Sequence, residues 1–353
     1  MHSDVCDLTW IAHSPAGSAA RKPARGLRRC FRAAWAIAGL VLLSSAPLSA
    51  KDTGLIFVSN EKSNTISVLD PKTFNIVKTI RTAKRPRDMH FSTDRSTLYV
   101  ACGDADRIDV VDIASLAVVD SVPTGKSPEA FDINHGRGEI YVTNEEDATL
   151  AVIDLKSKKT IRVIKTGDEP EGVLVARSGD KVYVASEVGN LVHEIDPVGG
   201  RIIRDVVVGT RPRRFAMTPD GKELWVSTEL AAAVYIIDVE SFTVAGKIDF
   251  LPRGMRTEDV TPVGITMDKK GSKAYVTLGH AAHVAIVDVA SRKLDQYVLT
   301  GKRAWGVTLS ADGKRLFVAN GGGDDITIID VDKRRALRSV PVGRVPWGVL
   351  VDD

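Results

Sequence analysis

The chain has 353 residues, with 48 Lys and Arg against 45 Asp and Glu, three Cys and a formal net charge of +3. Six of the basic and two of the acidic residues fall in positions 1–50, leaving 42 and 43 and a net charge near −1 beyond them, so the basic balance is no argument for a nucleic-acid partner. Cys6 and Cys30 lie in that same segment, and Cys102 alone cannot build a disulfide, a Cys-based zinc site or a Cys-x-x-Cys-His haem attachment.

The first fifty residues read as an export signal. Arg21, Lys22, Arg25, Arg28, Arg29 and Arg32 form a basic region, Ala33 to Leu43 an apolar core, and Ser44 to Ala50 a small-residue stretch, with cleavage expected after Ala50. The apolar run is too short for a membrane span. A retained N-terminal anchor is the alternative. Cys30 precedes the apolar core, so it is not placed as a lipid acceptor.

From Gly54 onward one pattern recurs seven times. An aromatic residue followed by valine stands at Phe57-Val58, Tyr99-Val100, Tyr141-Val142, Tyr183-Val184, Trp225-Val226, Tyr275-Val276 and Phe317-Val318. An aspartate closing an apolar run follows thirteen residues later each time, at Asp70, Asp112, Asp154, Asp196, Asp238, Asp288 and Asp330. Both markers step by 42 residues except once, between the fifth and sixth copies, where the step is 50. A period of this size belongs to solenoids, arrays and propellers.

The third copy shows the unit. Glu129–Ile133, Glu139–Thr143, Thr149–Asp154 and Thr160–Ile164 are strand-like, with Gly, Asn and Asp punctuation between them. Four short strands per copy, seven times, predict an all-β fold: a seven-bladed β-propeller over residues 51–353. A β-solenoid is the competitor, but its rungs are shorter. The last strand, Pro346–Val351, matches the inner strand Pro170–Val175, whereas the repeat region begins at the second strand of a blade. The C-terminal strand is therefore expected to complete the first blade and close the ring, leaving no open array edge.

The motif F/Y-V-S/T-N, a run ending in Asp, then Gly-x-x-Pro, resembles the YVTN-type propeller repeat. The series Val58–Lys62, Arg85-Pro86-Arg87, Glu169–Gly172, Arg211-Pro212-Arg213, Gly221–Ser227 and Arg344–Val349, with the one longer spacer, is similar to the β-propeller family associated with PQQ-dependent catabolism. That resemblance covers residues 54–353. It implies a periplasmic, non-catalytic accessory of quinoprotein alcohol oxidation, with a quinoprotein dehydrogenase or cytochrome as partner and no catalytic residue to carry over. The tryptophan-docking repeat by which quinoprotein dehydrogenases hold PQQ is missing from these blades, so no cofactor is expected.

Function is sought where the copies differ. Behind the aligned proline stand Arg87, Glu129, Glu171, Arg213, Val263, Trp305 and Trp347; just before it stand Arg85, Ser127, Glu169, Arg211, Thr261, Arg303 and Val345. In a propeller both sets ring the channel mouth. Arg85, Arg87, Glu129, Glu169, Glu171, Arg211, Arg213, Arg303, Trp305 and Trp347 are thus candidates for binding a polar, partly planar ligand or a partner. Two structural readings compete: Arg87–Glu129 and Glu171–Arg213 as salt bridges between blades, and the indoles as packing anchors.

Asn60-Glu61, Asn144-Glu145, Ser186-Glu187 and Thr228-Glu229 read as turn chemistry. His280 and His283 are weak metal candidates without a recognised ligand spacing. His193 reads as a satisfied histidine between blades, and His90 and Asp132, at equivalent positions in adjacent blades, are placed to hydrogen-bond each other. The extra residues around Pro252 to Asp259 fall on the mouth face, as a loop to rim or cover it. No nucleophile elbow or Walker loop is present. Two alternatives to the accessory reading stand: a lactonase-like hydrolase drawing on Glu129, Glu171, Arg213 and His280, and single-stranded nucleic-acid binding through the mouth arginines and indoles, which the mouth glutamates oppose.

Overall fold

Each second strand of the repeat is apolar on both faces, and successive side chains of a strand point to opposite sides. Such a strand is stable only when sheets cover it front and back. In the computed structural model, which describes residues 52–353, seven four-stranded antiparallel sheets provide that cover for one another as blades of a ring. Phe57 packs with Met89 and Val100 of the next blade, while its neighbour Val58 packs with Phe317 and Ile328 of the preceding one. The export segment expected over 1–50 lies outside the described residues.

Blade 1 is assembled as expected from both ends of the repeat region. Its strands, from the channel outward, are Pro346–Val351, Ile56–Asn60, Thr65–Leu69 and Ile76–Arg81. Val351 pairs with Ile56 and Val349 with Val58. The closure is also clasped by a side chain. Asp352 is buried and accepts hydrogen bonds from Thr53 N (3.0 Å), Thr53 Oγ1 (2.6 Å) and Arg95 Nε of blade 2 (2.7 Å), while Gly54 N donates to its backbone carbonyl.

The recurring aspartates have one local job. In all seven blades the carboxylate accepts the N–H three residues on, at 2.7–2.9 Å, from Thr73, Ser115, Ser157, Gly199, Ser241, Ser291 or Lys333. The next residue (Phe74, Leu116, Lys158, Gly200, Phe242, Arg292 or Arg334) then takes a positive φ of 50–69°. The side chain thereby shapes the turn between the third and outer strands. These hydrogen bonds hold all seven carboxylates below the usual range.

Contact between inner strands is closer than ordinary sheet packing. Hydroxyls of the second strands reach across to carbonyls of the next inner strand: Ser59 to Arg87 (2.7 Å), Thr143 to Glu171 (2.8 Å), Ser227 to Val263 (2.6 Å) and Thr277 to Trp305 (2.7 Å). A Cβ on Gly172 would stand 2.0 Å from the Arg213 carbonyl oxygen, and one on Gly306 2.4 Å from that of Trp347. Only glycine permits this approach.

Two outcomes are expected. Asp352→Ala removes the clasp and lowers unfolding stability by about 1–3 kcal/mol, read from urea denaturation. The turn aspartates have folded pKa values below their unfolded value of about 3.9. Their stabilisation is complete above that value and lost as pH falls through the folded values. The thermal midpoint therefore drops below about pH 4. Asp70→Asn with Asp154→Asn and Asp238→Asn, which keep an acceptor that does not titrate, make that drop shallower; an unchanged slope would assign it to other groups.

Candidate functional site

The loops entering the inner strands are set by a repeated turn. Arg85, Ser127, Glu169, Arg211, Arg303 and Val345 each take φ between 51° and 62°. Four of these are pinned by an Asn or Asp of the preceding blade: Arg85 N donates to Asn64, Ser127 N to Asp106, Arg211 N to Asn190 and Val345 N to Asp324, at 2.8–3.0 Å. After the turn comes a β-bulge, seen as a register break between Pro86 and Met89 and repeated at Pro128/Phe131, Pro170/Val173, Pro212/Phe215 and Ala304/Val307. A bulge re-aims side chains. Here it divides the inner-strand residues, counted from the aligned proline as position one, between the mouth and the channel.

Position two closes the mouth. Arg87 pairs with Glu129 of the next blade and with Glu61 (3.2 Å), and Arg85 reaches Glu129 (2.9 Å) and Glu145 (3.7 Å). Across the ring Arg213 pairs with Glu187, Glu229 (3.3 Å) and Glu171 (3.6 Å), and Arg211 with Glu187 (2.5 Å) and Glu229 (3.4 Å). Both inter-blade pairs expected from the sequence, Arg87–Glu129 and Glu171–Arg213, are present. Burial alone would raise Glu171; Arg213, Arg214 and Arg87 outweigh it and hold the carboxyl down at about 2. On the third side Val263, Trp305 and Trp347 form an apolar cluster, the indole centroids 6.4 Å apart. Arg303 stacks on Trp305 at 4.3 Å. Glu169 stands exposed, outside this network.

Several expectations are corrected. Glu61, Glu145, Glu187 and Glu229 are ion-pair partners of the mouth arginines, a role beyond turn chemistry. The loop at 252–259 rims the mouth and does not line the channel cavity: it runs into Thr261, whose hydroxyl accepts His280 N (2.9 Å), and Leu251 N just before it donates to Tyr297 in the outer strand of blade 6 (2.9 Å). His280 is exposed and His283 Nδ1 lies 2.6 Å from the Ala281 carbonyl oxygen; among the described residues neither joins a ligand set for a metal. His193 is satisfied as expected, with Nδ1 2.6 Å from Asp205 and Nε2 accepting Gly167 N.

Positions three and five bring a second group of polar side chains to the channel. Position three is Gly or Ala in five blades; the two departures are Asp88 in blade 2 and Arg214 in blade 5. Position five holds His90 and Asp132. All four line a cavity of about 240 Å³ whose remaining wall includes Trp305, Trp347, Thr308 and Leu174. His90 pairs with Asp88 of its own strand (Nε2–Oδ2 3.4 Å), not with Asp132 by hydrogen bond as the sequence suggested. Asp88 instead accepts Phe131 N (3.2 Å) and Asp132 accepts Val175 N (2.7 Å), so each carboxylate is fixed by the backbone of the following blade. Arg214 reaches Glu171 (3.2 Å) and crosses to the Trp347 ring at 4.5 Å.

The environments push these groups apart. Burial raises the Asp132 carboxyl, and His90 and two backbone N–H groups do not cancel it. Burial acts the same way on Asp88, but there His90 and Arg214 prevail and its pKa falls. Burial would lower His90; the charges of Asp88 and Asp132 outweigh it and raise the imidazole above its ordinary value. An acceptor, a protonatable imidazole and a guanidinium thus converge on one cavity. Sequence comparison of the blades held this signal in the third column, where a charge replaces Gly or Ala only twice.

The mouth network is buried, so breaking one member leaves uncompensated charge. Glu129→Gln leaves Arg87 with Glu61 as its ion-pair partner, takes a carboxylate from both Arg85 and Arg87, and lowers stability by about 3–5 kcal/mol, whereas Arg87→Leu with Glu129→Leu recovers at least half of the loss in urea denaturation.

Two family models match parts of the chain: a YNCE-like beta-propeller over residues 93–181 and a seven-bladed beta-propeller lactonase over residues 201–342. No curated protein matches. Among solved structures the chain is similar to hydrazine synthase of Kuenenia stuttgartiensis, at 23% identity over 79% of this chain and 93% of that one, with a TM-score of 0.72. It is also similar to a putative 6-phosphogluconolactonase of Bacteroides fragilis NCTC 9343, at 16% identity over 86% and 99%, with a TM-score of 0.71. A third is the dihydro-heme d1 dehydrogenase NirN in complex with DHE, at 13% identity over 85% and 76%, with a TM-score of 0.65. At these identities the likeness is one of fold, and the chain is a seven-bladed β-propeller with partial similarity to two propeller families.

Proposed function

We propose that this propeller is a hydrolase of small lactones and that its chemistry lies in the channel, below the mouth. The observation that carries the reading is the placement of Asp88, His90, Asp132 and Arg214 around one cavity, two of them fixed by backbone N–H groups. Ring opening of a lactone needs a base for the attacking water, a cation for the developing oxyanion and an acid for the leaving ring oxygen. Asp132, the carboxylate with the raised pKa, takes the proton of the water. Arg214 faces the oxyanion. His90, kept protonated by Asp88, returns a proton to the ring oxygen as the acyl C–O bond breaks, giving the hydroxy acid. Pairs of groups pushed in opposite directions are the usual mark of such a division of labour. The partial match to the lactonase model supports the reaction class.

The test is turnover of a panel of neutral, carboxylated and phosphorylated lactones by the purified protein. Asp132→Asn is expected to lower kcat by about 10²–10⁴ with an unchanged circular dichroism spectrum. The rate is expected to rise with pH as Asp132 ionises and to fall as His90 deprotonates above about pH 6.5, a bell that Asp132→Asn flattens on its acid side. No turnover of any lactone would sink the proposal.

A second reading is the exported, non-catalytic accessory to PQQ-dependent alcohol oxidation. Its support is the motif series together with Lys84, Lys302 and Arg344, which stand exposed around the mouth as charge available to a partner. Periplasmic extracts of alcohol-grown cells, in which the mature chain begins at Lys51, are expected to yield a quinoprotein or cytochrome with the wild-type bait and less with Lys302→Glu/Arg344→Glu. Equal recovery by both baits would remove it.

A further inference from the structure

The inner strands run from the mouth to the opposite face, and exposure changes sharply along them. At position two all seven residues are buried, none more than 9% exposed. At position five His90, Asp132, Leu174, Thr266, Thr308 and Leu350 are all partly exposed, and Ala216 alone is buried. At the mouth a pocket of about 260 Å³ ends on the buried ion-pair ring and the indoles, with Arg214 crossing beneath them to Trp347. Passage through that end means separating buried, paired charges.

The far end has no such plug. Phe215 and Ile265, which wall the channel cavity, also wall a second pocket of about 380 Å³ on the opposite face of blades 5 and 6. Arg177 and Lys269 stand exposed at its edge, and neither has a carboxylate partner among the described residues. Arg177 is held in place by carbonyls, its Nε donating to Thr218 O at 3.1 Å. Asp268, the one carboxylate of this pocket, is taken up by Ser272 N (2.7 Å), the Ser272 hydroxyl and Lys273 N (3.2 Å). The pocket therefore carries two cations, neither ion-paired among the described residues, against the single carboxylate of Asp268.

We propose that ligands enter the channel from this face, opposite the mouth, and that Arg177 and Lys269 make the pocket an antechamber selecting carboxylate- or phosphate-bearing molecules. A charged cleft with low-dielectric walls raises the local concentration and entry rate of the opposite sign. The inference rests on the channel cavity being the functional site, but not on the reaction assigned to it.

The test reads access directly. In the full chain with Cys6→Ser and Cys30→Ser, Cys102 is buried and Leu174→Cys places one thiol on the cavity wall. Its modification by anionic sulfonatoethyl methanethiosulfonate is expected to be about 10-fold faster than by the cationic trimethylammonium analogue, with the difference shrinking as salt rises. Arg177→Glu with Lys269→Glu is expected to reverse that preference, and Lys302→Glu with Arg344→Glu at the mouth to leave it alone. Should Leu174→Cys fail to fold, Leu350→Cys on the same wall gives the same reading. A preference governed by the mouth pair, or one indifferent to the Arg177/Lys269 pair, overturns the proposal. Labelling of the expected pattern without lactone turnover would leave the route standing and remove only the reaction; turnover with mouth-controlled labelling would do the reverse.

Discussion

No blade of this protein can bury its own second strand, because both faces of that strand are apolar and a single four-stranded sheet covers neither. Stability is therefore a property of contacts between blades. The tightest of these is the approach of adjacent inner strands, where a hydroxyl such as Ser227 or Thr277 holds the carbonyl of the next blade and Gly172 or Gly306 leaves room for a neighbouring carbonyl. Each such contact has a partner only if the ring is complete. That is why the C-terminal strand must return to Ile56–Asn60 and why Asp352, joining Thr53, Gly54 and Arg95, sits buried at the seam.

The same closeness explains how charge is distributed around the axis. At the mouth the inner strands bring Arg87, Glu129, Glu171 and Arg213 within ion-pair distance while removing them from water. Their attraction must offset desolvation, and they do so as a network in which each carboxylate meets more than one guanidinium. Those charges are engaged with one another. One layer deeper the carboxylates are treated differently: backbone N–H groups of the following blade hold Asp88 and Asp132 while His90 and the cavity remain accessible to them. Brace and cavity cluster are separated by one to three residues of the inner strand.

That separation explains what could be recognised early. The aromatic-valine and aspartate markers have local causes, two-sided burial and a side-chain turn, and local causes leave a periodic trace. Ring closure followed from the mismatch of the two ends. The inter-blade pairs Arg87–Glu129 and Glu171–Arg213 were legible too, since equivalent positions in a ring are neighbours. Glu61, Glu145, Glu187 and Glu229 were not, because Asn/Ser/Thr-Glu has a sufficient local explanation as turn chemistry and nothing local reveals that these loops converge on the mouth arginines. His90 and Asp132 were placed in adjacent blades correctly, yet His90 pairs with Asp88, two residues back on its own strand.

The amino-acid sequence by itself determined the number of blades, their strand content, the seam and the column in which Asp88 and Arg214 depart from Gly or Ala, because each is a matter of periodicity and position. Only the tertiary structure decided which charges are spent on one another and which face the cavity. Those depend on burial and on the direction in which a bulged strand aims its side chains, and a one-residue change of direction leaves the repeat unaltered.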